Sequence, residues 1–128
     1  MHRQAISTGR APSAIGPYSQ AIRAGDLVFC SGQIPLAPDS GEMVGGDDVR
    51  LQTQRVLDNL AAVLDAAGSS LALVVKATIY LTDLDDFSSV NEVYGQAFTE
   101  GPPPARACVQ VAALPRGAKV EIEVVAVC

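Results

Sequence analysis

Between Asp47 and Gly68 the chain carries one long helical signal, and the stretches on either side carry another period. Val49, Thr53, Val56, Leu57, Leu60, Val63, Leu64 and Ala67 recur at helical spacing, so they line one side of a helix. Asp47 or Asp48 supplies an N-cap oxygen, and Gly68 stands where a left-handed C′ residue closes the last turn. A helix with one apolar stripe cannot bury that stripe alone, so it must pack on a sheet or a second helix.

The flanking sequence offers both. Upstream, Pro17–Ala24 alternates and reads as a strand with proline at its first position. Gly25-Asp26 is a hairpin-type turn into Leu27-Val28-Phe29-Cys30, which continues through Ser31-Gly32-Gln33-Ile34-Pro35. Gly32 within that strand marks a bulge or a close approach of backbone to a ligand. Residues 35–46 form a loop that encloses a short strand at Glu42-Met43-Val44. Downstream, Leu73–Leu81 is β-branched and apolar, as a central strand is.

A second helix opens among Asp83, Asp85 and Asp86, carries the inner stripe Phe87, Val90, Tyr94, Ala97 and Phe98, and stops at Gly101 and three prolines. Two more strands follow, Pro104–Val109 and Val120–Val124, joined through Leu114-Pro115-Arg116-Gly117. The order β-β-(β)-α-β-α-β-β predicts an α+β fold, with five or six strands in one mixed sheet and two helices on one face. At 128 residues the chain is a single domain, with residues 1–10 a mobile polar lead.

Several function classes are excluded early. A net charge of −5 is wrong for a surface that binds phosphates, and 5% aromatics without tryptophan leave little for base stacking, so no nucleic-acid partner is expected. No apolar run approaches the roughly 20 residues of a membrane span, and the polar start is not a secretory signal. Three widely spaced cysteines make neither a disulfide framework nor a zinc site, which suits a reducing, cytoplasmic compartment. The acids at 83–86 serve as helix caps and lack calcium-loop spacing, so no metal and no cofactor is expected. His2 is the sole histidine and lies in the lead. A Ser-His-Asp triad, a Cys-His pair and a histidine-bound metal therefore lack their central residue. Catalysis must rest on carboxylates, arginine, tyrosine, serine, cysteine and backbone groups.

Among these, Arg106 and Glu121 stand out. On a strand Arg106 and Cys108 share one face, with Ala107 on the other. Arg106 reads either as an edge arginine in a surface ion pair or as a fork for a planar carboxylate. Glu121 alternates with Val120 and Ile122, so it belongs either to a solvated face or to a site where it positions water; partial burial distinguishes the two. Tyr18 reads as a half-buried aromatic. Ser31 and Gly32 read as a strand-end bulge whose N–H groups can also donate to an oxyanion. Cys108 has no activating neighbour and reads as a wall residue; Cys30 reads as core.

Four segments together, Ala14–Ala21, Ser31–Pro35, Pro104–Val109 and Leu114-Pro115 followed by Val120–Glu123, resemble the Rid (YjgF/RidA) family of reactive-intermediate deaminases. The resemblance runs from about residue 11 to 127. It implies a chorismate-mutase-like fold in which the last two strands are not neighbours, and a homotrimer with sites between subunits. That corrects the local reading of Leu114–Gly117 as a hairpin turn, which would hold Arg106 and Glu121 roughly 16 Å apart. The resemblance further implies cofactor-independent hydrolysis of 2-imino acids and their enamine tautomers to 2-oxo acids and ammonia. In that reading Arg106 binds the substrate carboxylate and Glu121 positions water. Tyr18, Ser31, Gly32, Asn91 and Cys108 line the substrate site. Ala107, where relatives often carry serine, faces away from Arg106. The alternatives are a non-catalytic sensor of 2-oxo or amino acids and a holdase-type chaperone. A ribonuclease activity fits poorly with the acidic charge and the single histidine.

Overall fold

The computed structural model describes residues 2–128. Its strands are β1 (Arg3–Ile6), β2 (Ala21–Ala24), β3 (Leu27–Gln33), β4 (Val74–Leu81), β5 (Ala105–Gln110) and β6 (Val120–Val127). Helix α1 (Val49–Ala66) follows β3, and α2 (Phe87–Ala97) connects β4 to β5. The six strands form one mixed sheet in the order β1-β2-β3-β6-β4-β5. Only β4 and β5 run parallel, as a strand-helix-strand crossover requires. The last strand lies at the centre, between β3 and β4, so β5 and β6 are not neighbours. Its sequence suits that place: Val120, Ile122, Val124 and Ala126 alternate along it and are all buried.

Helix α1 starts where the aspartates put it. Asp48 Oδ1 accepts from the N–H groups of Arg50 and Leu51 at 2.9 and 3.3 Å, and Gly68 adopts φ 81° beyond the C-cap. The stripe Val56, Leu57, Leu60, Val63 and Leu64 is fully buried against Val28, Ala77, Ile79 and Ile122 from the sheet. Truncating one of those leucines to alanine typically costs about 2–5 kcal/mol. Burial also pushes the Cys30 thiol up to about 12, consistent with a core position. Among the described residues no helix is long and apolar enough to cross a membrane.

Three local expectations are corrected. Residues 3–6 of the supposed mobile lead form an edge strand paired with β2. The signal is short and only Ile6 is buried, so the alternation is hidden by polar side chains on an exposed edge. The strand expected from Pro17 begins only at Ala21. Gly16 at φ 126° and a turn from the Tyr18 N–H to the Gly16 carbonyl bend the chain there. Gln20 faces inward, where its amide accepts from the Thr8 N–H and donates to the carbonyls of Thr8 and Pro12. The strand expected at 42–44 reduces to a single bridge between Leu36 and Met43.

Both helices cover one face of the sheet. The residues aimed at them, such as Ala77, Ile79 and Leu81, are buried, whereas Leu27, Phe29 and Val109 on the other face stay substantially exposed.

Candidate functional site

The sheet sorts the site residues expected from sequence into two groups. Arg106 pairs with Ala77 of β4, and Glu121 pairs with Tyr80 of the same strand. An offset of three residues reverses the face, because side chains alternate at every residue. Arg106 therefore lies on the helix-covered face and Glu121 on the open one. Two strand spacings and three residues along β4 place their backbones about 14 Å apart. Changing the sheet order does not suffice to bring these two side chains together within one chain.

The first group surrounds Arg106. Its Nη1 donates to Asn91 Oδ1 at 2.6 Å, and its guanidinium carbon lies 5.0 Å from the Tyr94 ring centroid and 5.5 Å from that of Phe87. Phe87, Asn91 and Tyr94 follow one another along one side of α2. Cys108, two residues from Arg106 on the same face, is partly buried. Burial raises its thiol pKa, and the nearby guanidinium opposes that rise. Among the described residues Arg106 pairs with no carboxylate; the ion pairs there are Arg10–Asp65 and Arg50–Glu92. The surface ion-pair reading of Arg106 is thereby set aside. Strand β5 is also a sheet edge, so part of its backbone lacks a strand partner.

The second group surrounds Glu121. Tyr18, Ser31, Gly32 and Glu121 line a cavity of about 420 Å³, with Ile15 and Leu36 among its apolar walls. Between Cys30 and Gln33 the register of β3 against β6 slips, so Ser31 and Gly32 form the bulge their sequence announced. The close approach is to a side chain: a Cβ at position 32 would collide with Glu121 Oε2 and stand 2.9 Å from its Cδ. Glu121 is half-buried, unlike a plainly solvated carboxylate. Burial first, and the charge of Glu123 second, push its pKa above the ordinary glutamate value. Glu123 accepts a hydrogen bond from the Tyr80 hydroxyl beside it.

Ser31 departs from expectation. Its N–H already donates to the Gln20 carbonyl at 3.0 Å and its hydroxyl to the Ser19 carbonyl at 2.6 Å. Neither proton is left for an oxyanion, so Ser31 offers hydroxyl lone pairs. Tyr18 is 54% exposed, and its hydroxyl accepts from the Ile15 N–H at 3.3 Å.

Sequence reasoning missed Phe87 and Tyr94 as neighbours of Arg106, having assigned both to the core stripe. Asn91 in line with them, polar between aromatics, was the available signal. It also missed Gln20, whose buried amide holds the segment from Thr8 to Pro12 against the cavity wall.

Known proteins resemble the chain over nearly all of its length. The family model described as "Endoribonuclease L-PSP" matches residues 8–128. Protein DfrA of Myxococcus xanthus is 60% identical over 129 residues, covering 99% of this chain and 97% of that protein. "Putative reactive intermediate deaminase TdcF" of Escherichia coli is 48% identical over 127 residues, covering 98% and 97% of the two chains. The crystal structure of E. coli TdcF with bound serine superposes with a TM-score of 0.92 at 48% identity, over 98% of each chain. YyfA of Yersinia pestis, a protein of the conserved Rid family, superposes with a TM-score of 0.96 at 47% identity, over 99% and 100%.

Proposed function

From a chain that belongs to the Rid (YjgF/RidA, endoribonuclease L-PSP) family, we propose an imine deaminase that hydrolyses 2-imino acids and their enamine tautomers to 2-oxo acids and ammonia. The observation that carries this reading is that the fold holds two separate half-sites: an arginine without an acid partner among the described residues on one sheet face, and a half-buried carboxyl on the other. An imine carbon next to a carboxylate is already electrophilic. Hydrolysis needs its carboxylate held, a water oriented and protons moved, and the residues present offer these functions.

Arg106 binds the carboxylate through parallel charge-assisted hydrogen bonds. Glu121 takes a proton from water as it adds to the imine carbon, giving a carbinolamine. Starting from the protonated imine, Glu121 then returns that proton to the carbinolamine nitrogen. As the C–N bond breaks, the carbinolamine hydroxyl gives its own proton back to the Glu121 carboxylate, leaving the 2-oxo acid and ammonia. A pKa raised toward neutrality suits a group that must both accept and donate. Tyr18 and Ile15 line the cavity that receives the rest of the substrate. Serine in the E. coli TdcF structure is likewise an amino acid with a carboxylate, which favours a site for substrates of this class.

The half-sites meet in our reading between copies of the chain, in a homotrimer. The open face supports it, since Leu27, Phe29 and Val109 are 37%, 46% and 43% exposed on a sheet otherwise covered on one side only.

The test measures 2-oxobutanoate release while a threonine dehydratase generates the imine, with semicarbazide trapping what is not hydrolysed. Wild type accelerates release and Arg106→Ala does not. Co-refolding Arg106→Ala with Glu121→Ala in equal amounts recovers activity, because roughly a quarter of randomly formed intersubunit sites then carry both side chains. No acceleration by wild type would withdraw the enzyme for this imine. Acceleration by wild type without recovery in the mixture would withdraw the intersubunit site.

A further inference from the structure

We propose that one side of α2 is a rack that presents the charge of Arg106 uncompensated, with Tyr94 and Phe87 as its supports and Asn91 as its stop. The inference rests on the reading of Arg106 as a carboxylate clamp and assigns the residues that make it one. Three observations carry it.

First, the guanidinium sits within cation–π range of two rings at once, 5.0 Å from Tyr94 and 5.5 Å from Phe87. The Tyr94 ring is itself fixed, with only 4% exposure and its centroid 4.5 Å from that of Phe98. A long side chain that would otherwise sample many rotamers is thereby confined before any ligand arrives, and the entropy of ordering it is not charged to binding.

Second, Asn91 settles the rotation of the guanidinium. Arginine has donors only, so the amide atom 2.6 Å from Nη1 must be Oδ1. The Asn91 NH2 group then faces elsewhere and makes no other hydrogen bond among the described residues. It remains an unused donor on an exposed residue next to Arg106, available to an acceptor on an incoming ligand.

Third, the supporting groups are neutral. An aspartate at position 91 would supply the same acceptor but would also cancel the charge. Aromatic faces hold the cation without neutralising it. The rack therefore explains an asparagine and two aromatics where a plain ion pair would have been the commoner anchor. It also selects for an anion over a neutral ligand of equal shape.

Tyr94 adds a useful control, because its buried hydroxyl has no partner. The ring can be kept while the hydroxyl is removed. The experiment titrates 2-oxobutanoate into the full-length protein by calorimetry and follows the Arg106 Nε–Hε resonance by NMR, assigned by its loss in Arg106→Ala. Tyr94→Leu should weaken binding about tenfold and shift that resonance, while Tyr94→Phe should return affinity to within about threefold of wild type. Asn91→Asp should weaken binding about tenfold and Asn91→Ala only about two- to threefold, since only the former places a competing carboxylate on the exposed guanidinium. Melting temperatures report whether each variant is folded. If Tyr94→Leu fails to fold, the two Asn91 variants decide, because that side chain is exposed.

The rack is overturned if Tyr94→Leu binds like wild type, if Asn91→Asp is no worse than Asn91→Ala, or if wild type does not bind 2-oxobutanoate. Binding with the expected order of variants but without imine turnover would leave the rack in place and remove the deaminase. Turnover without that order would do the reverse.

Discussion

Gly32→Ala separates the position of Glu121 from the stability of the fold. Gly32 has no positive φ, so alanine brings no backbone strain of its own. The added Cβ meets one side chain, with Glu121 Cδ at 2.9 Å and Cγ at 3.1 Å, and Oε2 nearer still. Ordinary contact begins near 3.4 Å, so the carboxyl end of Glu121 must swing away by on the order of 1 Å. Turning a glutamate off its preferred rotamer costs about 0.5–1.5 kcal/mol, or roughly 2–6 °C in melting temperature for a domain of this size. Activity is far more sensitive, since a displacement of about 1 Å at a reacting group can cost about 100-fold in rate. The expected result is therefore a folded protein, slightly less stable, with imine hydrolysis reduced by about 10- to 100-fold. The same substitution in a Glu121→Ala background should lose most of its stability cost, because the colliding atoms are gone. Full activity in Gly32→Ala would refute the requirement for this Glu121 position. An undiminished stability cost in the double variant would show that the clash lies elsewhere.

Three further outcomes concern the protonation of Glu121 and the support of the cavity wall. Because the folded-state pKa of Glu121 is raised by burial and by Glu123, its stabilising contribution is complete below the ordinary glutamate pKa and is lost as pH rises through the raised value. Glu121→Gln should thus melt higher than wild type near about pH 8 and show no advantage near about pH 4, whereas the opposite trend would contradict the direction of the shift. In wild type, hydrolysis should fall on the acid side with an apparent pKa above that of an ordinary glutamate, as a pH–rate profile would show. Gln20→Leu removes an amide that serves the Thr8 N–H and the carbonyls of Thr8 and Pro12, so chemical denaturation should report a loss of about 2–4 kcal/mol. A loss below about 0.5 kcal/mol would mean water replaces the amide at no cost.

Local chemistry by itself determined much of this protein. The α1 stripe with Asp48 and Gly68 at its ends, the Gly25-Asp26 turn and the bulge at Gly32 all follow from period, capping and turn rules that act over a few residues. Arg106 and Glu121 were legible as unusual charges among apolar neighbours. Four short motifs in order identified the family and with it the position of the last strand, which spacing alone had assigned to a hairpin.

The rest depended on pairings between residues far apart in sequence. Only the tertiary structure makes β1 a strand, because a four-residue edge with one buried side chain is too short for its own alternation to show. The orientation of Ser31 was likewise decided by the carbonyls of Ser19 and Gln20, which stand beside it across the β2–β3 hairpin. The opposite faces of Arg106 and Glu121 depend on register: β5 and β6 pair directly with β4 on its two sides, and one residue of slip in either would have put the two side chains on the same face. Side-chain alternation is visible in a single strand, but which residue of the next strand stands beside it is set by packing of the whole sheet.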